Sequence, residues 1–307
     1  MTARPRVPRL ARTASGKVGL GMLVFVLGVA ILGPLFAPHG LATPIGAPGT
    51  PPSGSALLGT DYLGRDVLSR LLDGGLSVIW IGTAATLLSY ALGVPTGMTA
   101  GYRRSLIDPI LMRGVDVLLA FPALLVLLLL VAGLGPHVAV LIVGVAIVQL
   151  PPIARIMRTA TLEVSTRGYV EAAVARGERT ASILRREILP NVAPVVLADF
   201  GIRFGYSIIL IASVNYLGLG LAPPAADWGL MTAENQQYIT LNVWAVLAPA
   251  IMLAMLTICV NLLADAYVQT LGRSIPVRRG RFLSSASPAP ILPDEDLLGQ
   301  PPASPSA

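Results

Sequence analysis

Glu171-Ala172-Ala173-Val174-Ala175-Arg176-Gly177, running on to Ile188-Leu189-Pro190, is the stretch on which the reading of this chain turns. It lies in the longest polar interval of an otherwise apolar sequence. Seven arginines occupy or flank it: Arg155, Arg158, Arg167, Arg176, Arg179, Arg185 and Arg186. Thr166 is placed to cap a helix whose first turn holds Tyr169 and Val170. Glu171 then sits near the positive N-terminal end of that helix. Ala172, Ala173 and Ala175 are small enough for another surface to approach closely. Gly177 supplies a turn position free of a Cβ. A second helix is predicted from Thr180 to Leu189, with Ile183, Leu184 and Ile188 on its apolar face and Pro190 as its stop. Taken alone, this pattern suits an ordinary loop as well as a docking element.

The rest of the 307-residue chain does not read as a soluble domain. Apolar residues make up 54% of it and charged residues 12%, and the mean hydropathy is +0.73. A soluble domain carries about twice that charged fraction. Several apolar runs reach or exceed the roughly 20 residues that cross a bilayer core. The fold class is therefore an all-α membrane protein. A single cysteine, Cys259, excludes a disulfide framework or a cysteine metal site within the chain. The net charge of +6 would point a soluble protein toward nucleic acid. In a membrane protein it reads as arginine-rich loops that fix orientation, so no nucleic-acid partner is expected.

Working outward, five basic residues from Arg4 to Lys17 precede an apolar run, 18–37. The run is too long for a signal-peptide core, and no clear cleavage site follows. Residues 1–17 are expected to be a cytoplasmic segment and 18–37 a first transmembrane helix. Residues 38–76 form an external loop that ends in an interfacial helix, capped by Thr60 or Asp61, with Asp66 and Arg70 able to pair across one turn. The core, 77–272, holds five more spans: 77–100, 110–131 with a kink at Pro122, 138–153 broken by Pro151 and Pro152, one that begins after Pro190 and Pro194 and reaches about Leu221, and 243–267. Residues 155–192 connect the fourth span to the fifth. The tail, 273–307, is too poor in apolar residues to fold alone and is expected to be disordered. Twenty of the 22 Lys and Arg residues fall on one side of this six-helix layout, leaving only Arg65 and Arg70 on the other. That asymmetry puts both termini and the 155–192 loop in the cytoplasm.

Chemistry inside the spans is sparse. Asp116, Asp199, Arg203 and Asp265 fall near inner span ends, whereas ion-coupled transporters commonly place a carboxylate near the midplane. His39 and His137 stand singly at outer ends. No catalytic triad, metal motif, P-loop or dinucleotide fingerprint occurs. Catalytic, cofactor and metal residues are accordingly none. Thr83, Thr86, Ser89, Gln149, Ser207, Ser213, Asn215 and Asn261 suit helix packing and a weakly polar passage equally well. With no P-loop, energy for uphill transport would have to come from a partner.

The spacing E-A-A-x3-G, followed ten residues later by I-L-P between two spans, resembles the loop of binding-protein-dependent ABC importer permeases. Leu58-Gly59-Thr60-Asp61-Tyr62-Leu63-Gly64-Arg65-Asp66 is similar to the segment after the first span in the dipeptide/oligopeptide/nickel group. Tyr216-Leu217-Gly218-Leu219-Gly220, Pro224 and Trp228-Gly229 resemble that group's fifth-span exit. The likeness covers about residues 15–275 and fits the shorter of two paired permeases. Arg176 and Glu178 depart from it, standing where the group usually has an apolar and a small residue. The resemblance implies the type I ABC importer permease fold, with six transmembrane helices, in a bacterial inner membrane. It implies a second homologous permease, cytoplasmic ABC ATPases and an extracytoplasmic solute-binding protein as partners, besides membrane lipid. It places Glu171, Ala172, Ala173, Gly177, Ile188, Leu189 and Pro190 at the joint with the ATPase. Di- or oligopeptides are the expected cargo, with nickel or another small solute as the alternative within the family. A stand-alone secondary transporter is the alternative outside it.

Overall fold

The computed structural model describes residues 13–105, 107–221 and 225–272, with side chains to residue 267. The expectations for residues 1–12 and for the 273–307 tail lie outside the described residues. Among these described residues ten α-helices follow in order: α1 (Ala14–Leu32), α2 (Val67–Tyr102), α3 (Ile107–Leu119), α4 (Ala123–Leu134), α5 (Val138–Ser165), α6 (Gly168–Ala175), α7 (Thr180–Ile183), α8 (Leu189–Tyr216), α9 (Trp228–Glu234) and α10 (Trp244–Gly272). Apart from two isolated bridges, Pro44 with Arg65 and Thr60 with Asp66, the described residues hold no β structure. Five segments are long and apolar enough to cross a membrane: Ala14–Phe36, Val67–Tyr102, Val138–Ser165, Thr180–Tyr216 and Trp244–Tyr267. The pair α3 and α4 makes a sixth if counted as one broken span.

Four local expectations change. First, no separate interfacial helix precedes the second span, because α2 runs unbroken for 36 residues from Val67. Asp66 caps it, accepting from the backbone N–H groups of Leu68 and Ser69, so neither Thr60 nor Asp61 is the cap. Asp66 also faces His39 Nδ1 at 3.3 Å, and Arg70 pairs elsewhere. Second, Pro122 does more than kink the third span: α3 and α4 are bent by 82°. Pro122 is extended (φ −59, ψ 127), and a proline excludes its predecessor from helical backbone. Third, Pro151 and Pro152 do not break the fourth span, and α5 continues to Ser165. The packing of Ile153, Ala154 and Met157, all fully buried, supports the helix past the lost hydrogen bonds. Fourth, Pro190 does not stop the second loop helix. A π-turn over Leu184–Ile188 joins α7 to α8, with the Leu189 N–H bonded five residues back to the Leu184 carbonyl. The wider turn moves aside the carbonyl that the Pro190 ring would otherwise strike.

α2 packs along α5 through a stripe of glycines four residues apart, Gly93, Gly97 and Gly101. A Cβ at Gly93 would come within 2.7 Å of Ile153 Cγ2, and one at Gly97 would strike the Ala154 carbonyl. Small residues at this spacing let two backbones approach where lipid offers no hydrophobic drive for association. α4 lies antiparallel on α5, with Leu127 and Val131 buried against Leu141 and Val145, and Ile211 and Val214 of α8 close that cluster. A second core joins α1, α2, α9 and α10 around Trp228, Val26, Leu71, Leu256 and Cys259. Trp228 is fully buried, and its Nε1–H donates to the Leu71 carbonyl at 2.8 Å.

Candidate functional site

The loop between α5 and α8 is built on a short helix with two unlike faces. On one face of α6, Val170 and Ala173 are fully buried. They join Met98 of α2, Ile183 of α7, Ile188 of the π-turn and Val192 of α8 in a small core. On the other face Glu171, Ala172, Val174 and Ala175 are exposed. Thr166 does not cap this helix. It ends α5, and its hydroxyl donates back to the Glu163 carbonyl at 3.0 Å. Arg167 holds the N-cap position without a side-chain bond, and Glu171 stands in the first turn as expected.

α6 ends in a Schellman motif. Gly177 takes φ +75, its N–H bonds to the Val174 carbonyl at 2.9 Å, and the Glu178 N–H reaches the Ala173 carbonyl at 3.2 Å. A Cβ at Gly177 would meet nothing within 4 Å, so the glycine answers a conformational need and not a lack of space. The two residues that depart from the family pattern pair with each other, Arg176 Nη2 to Glu178 Oε1 at 2.7 Å. Ser182 Oγ donates to the other Glu178 oxygen at 3.0 Å. These bonds, the Arg176 one first, hold the Glu178 carboxyl below the usual glutamate range. The loop is tied to α2 by Arg103, which donates to Thr180 Oγ1 at 3.2 Å.

Among the expected docking residues, Glu171, Ala172, Gly177, Leu189 and Pro190 are exposed, while Ala173 and Ile188 are buried in the loop's own core. The structure therefore splits the set into an outward surface and its inner anchors.

Two further features escaped the sequence. An apolar groove of about 660 Å³ runs between α8 and α10 and is crossed at one end by α9; Ile209, Ser213, Tyr216, Thr232, Leu253 and Thr257 are among its walls. Its hydroxyls turn back on their own helices, Ser213 to the Ile209 carbonyl at 2.7 Å and Thr257 to Leu253 at 2.9 Å. Most of the other polar span residues serve packing: Gln149 donates to Ser207 at 2.6 Å, and Ser207 meets Thr86 at 2.7 Å. The second feature is a buried ion cluster. Asp61 accepts from Arg65 Nε at 2.6 Å and Arg70 Nη1 at 2.7 Å, and Glu234 accepts from Arg70 Nη1 at 2.8 Å and lies 3.5 Å from Arg65 Nη2. Arg70 and Asp61 are wholly buried. Four charges cancel here, three of them from residues 61–70 and the fourth, Glu234, from 164 residues beyond Arg70, and nothing local in the sequence announces that Glu234 joins the others.

Comparisons with known proteins agree with this architecture. Residues 93–273 match the family model described as binding-protein-dependent transport system inner membrane component. The di/tripeptide transport system permease protein of Pseudomonas aeruginosa (strain UCBPP-PA14) is 34% identical over 265 residues, covering 82% of this chain and 86% of its own. The glutathione transport system permease protein of Pectobacterium atrosepticum is 36% identical over 214 residues, covering 70% of this chain and 71% of its own. A chain of the MetNI methionine ABC transporter, solved in inward-facing conformations, shares the fold at a TM-score of 0.55 and 20% identity, over 66% of this chain and 96% of its own. Multi-span helices, loop and relatives converge, and the chain belongs to the family of binding-protein-dependent transport system inner membrane components, the permeases of ABC importers.

Proposed function

We infer that this chain forms one half of the path by which di- or oligopeptides, delivered by an extracytoplasmic binding protein, cross the inner membrane. A second, homologous permease supplies the other half, facing the open apolar groove between α8 and α10. Cytoplasmic ATPases drive the cycle by seating the exposed face of α6. The observation that carries this reading is the two-faced build of α6: small residues and one carboxylate outward, Val170 and Ala173 locked inward, and a left-handed glycine turn leading directly into the helix that walls the groove. The basic loop is taken as cytoplasmic because positive charge favours that side. Peptide cargo is favoured over nickel because the di/tripeptide permease of P. aeruginosa aligns along most of both chains. Affinity purification of this chain from membranes in mild detergent tests the assembly. Recovery of a second permease and of ATPase subunits is expected. Transport of a peptide by liposomes containing this chain alone would overturn the reading.

A further inference from the structure

We propose that Glu234 and Arg70 are positioning residues of an outer gate, in which α9 roofs the groove and the buried ion cluster holds the roof down. The proposal rests on the reading of the groove as this chain's half of the path. α9 contributes Gly229 and Thr232 to the groove wall. Its two ends are held in different ways. At the first end, Asp227 accepts from Asn215 Nδ2 at 2.7 Å and from Ser77 Oγ at 3.1 Å, besides capping α9 through the N–H groups of Gly229 and Leu230. Those ties are to α8 and α2, the spans themselves; the one cation at this end is Arg70, whose Nη2 donates to the Ala225 carbonyl at 3.2 Å just before the cap. At the far end, Glu234 meets Arg70 Nη1 at 2.8 Å, accepts from the Tyr62 hydroxyl at 3.2 Å and lies 3.5 Å from Arg65. Asn235 Oδ1 accepts from the Tyr62 N–H at 2.9 Å. These ties are to the 57–66 segment and the first turn of α2, outside the apolar part of the bundle. One end of α9 is thus a pivot and the other a clasp.

The clasp is charge-balanced only as a foursome. Asp61 and Glu234 face Arg65 and Arg70, and both guanidiniums are nearly or wholly buried. Loss of the Glu234 charge leaves two buried cations on one carboxylate, and repulsion then favours any arrangement that wets them. Lifting the far end of α9 does so, and the same movement uncovers the groove. Trp228 stays seated in the core at the pivot end, so the lift is a tilt about it that also draws Leu230 and Met231, buried in the closed state, away from the bundle.

The test uses the assembled importer in membranes, with Cys259 replaced by Ala and one reporter thiol, Ser213→Cys in the groove or Ser89→Cys in the buried packing between spans. The probe is a membrane-impermeant maleimide added outside. Glu234→Gln is expected to speed labelling of the groove reporter about fivefold or more, the lower range of a site-to-site coupling, and to leave the packing reporter silent. If Glu234→Gln fails to assemble, Glu234→Asp, which keeps the charge but shortens its reach to Arg70, is expected to speed labelling of the groove reporter by a smaller factor. Unchanged labelling of the groove reporter overturns the gate, and so does equal labelling of the packing reporter, which would mark general loosening. The parent groove reporter, held with a non-hydrolysable ATP analogue and the binding protein, separates the two levels. Labelling there with no effect of Glu234→Gln removes the gate alone. No labelling in any state or variant removes the path reading beneath it.

Discussion

The backbone N–H of Glu178 bonds to the carbonyl of Ala173 at 3.2 Å, and the chain between them turns through Gly177 at φ +75. This single long-reach bond sets the angle at which α6 leaves the loop, because Ala173 is itself locked in the inner core. A residue with a Cβ in this conformation costs about 1–2 kcal/mol, with Asn and Asp the best tolerated. Gly177→Asn is therefore expected to insert and transport nearly normally. Gly177→Asp, which has the same shape and adds a negative charge to the exposed surface, is expected to insert and to abolish uptake. Uptake normalised to membrane content checks both; equal uptake by the two would remove Gly177 from the docking surface.

Glu171 is exposed in the first turn of α6 and makes no ion pair within the loop. Its replacement should spare the fold and touch only a partner. Glu171→Arg is expected to lower peptide uptake about tenfold or more, since like charges across an interface cost several kcal/mol, and to reduce recovery of the ATPase subunits in a pull-down. Normal uptake at normal expression would sink the assignment.

The acid dependence of the α6 cap follows from Glu178. Its carboxyl is held below the ordinary glutamate range by Arg176, then by Ser182. A depressed carboxylate stabilises the folded loop fully at pH above the ordinary glutamate value, and that contribution fades as pH falls through the lowered one. Amide exchange at Gly177 and Glu178, corrected for its intrinsic pH dependence, should thus be flat from neutrality down to the ordinary glutamate range. It should rise below that range. Glu178→Gln should abolish the step. A step of the same size in Glu178→Gln would assign it to another group.

Close approach of α2 and α5 gives a stability prediction with an internal control. A side chain at Gly97 would run into the Ala154 carbonyl and come within 2.6 Å of Met157 Cβ, whereas at Gly28 of α1 a Cβ meets nothing within 4 Å. Gly97→Leu is expected to cost about 3 kcal/mol or more, the upper range for overpacking, seen as a lower melting temperature and a poor yield in detergent. Gly28→Leu should behave as wild type. Equal stability of the two variants would mean that the stripe does not set the helix spacing.

The span layout was legible because bilayer thickness acts on every apolar run alike, and Glu171 in a first turn followed by a Gly177 bend was legible because both are local. What misled were the prolines. Pro151, Pro152 and Pro190 were read as stops, yet tertiary packing carries α5 through and a π-turn absorbs Pro190. Pro122, read as a kink, became a full break. Arg65 and Arg70 were counted for the outer side with no sign that both are buried. Their partner Glu234 lies 164 residues beyond Arg70, and only the folded chain reveals such a pairing. The division of the docking residues into exposed Glu171 and buried Ala173 likewise needed the cluster that α6 rests upon.

The continuity of Thr180–Tyr216 has a mechanical consequence. At 37 residues it is a rod about 55 Å long. It begins three residues after Gly177, and Ile208, Ile209, Ala212, Ser213 and Tyr216 near its other end wall the groove. Only the turn at Gly177 separates α6 from this helix, so under the proposed function force applied at α6 would reach the groove along the backbone with no relay of side chains. A small tilt at the loop end would then become a larger stroke at the groove. The π-turn at 184–188 and the proline at 194 are its points of compliance. Stiffening either one should lengthen the stroke delivered per push, and softening either should waste it.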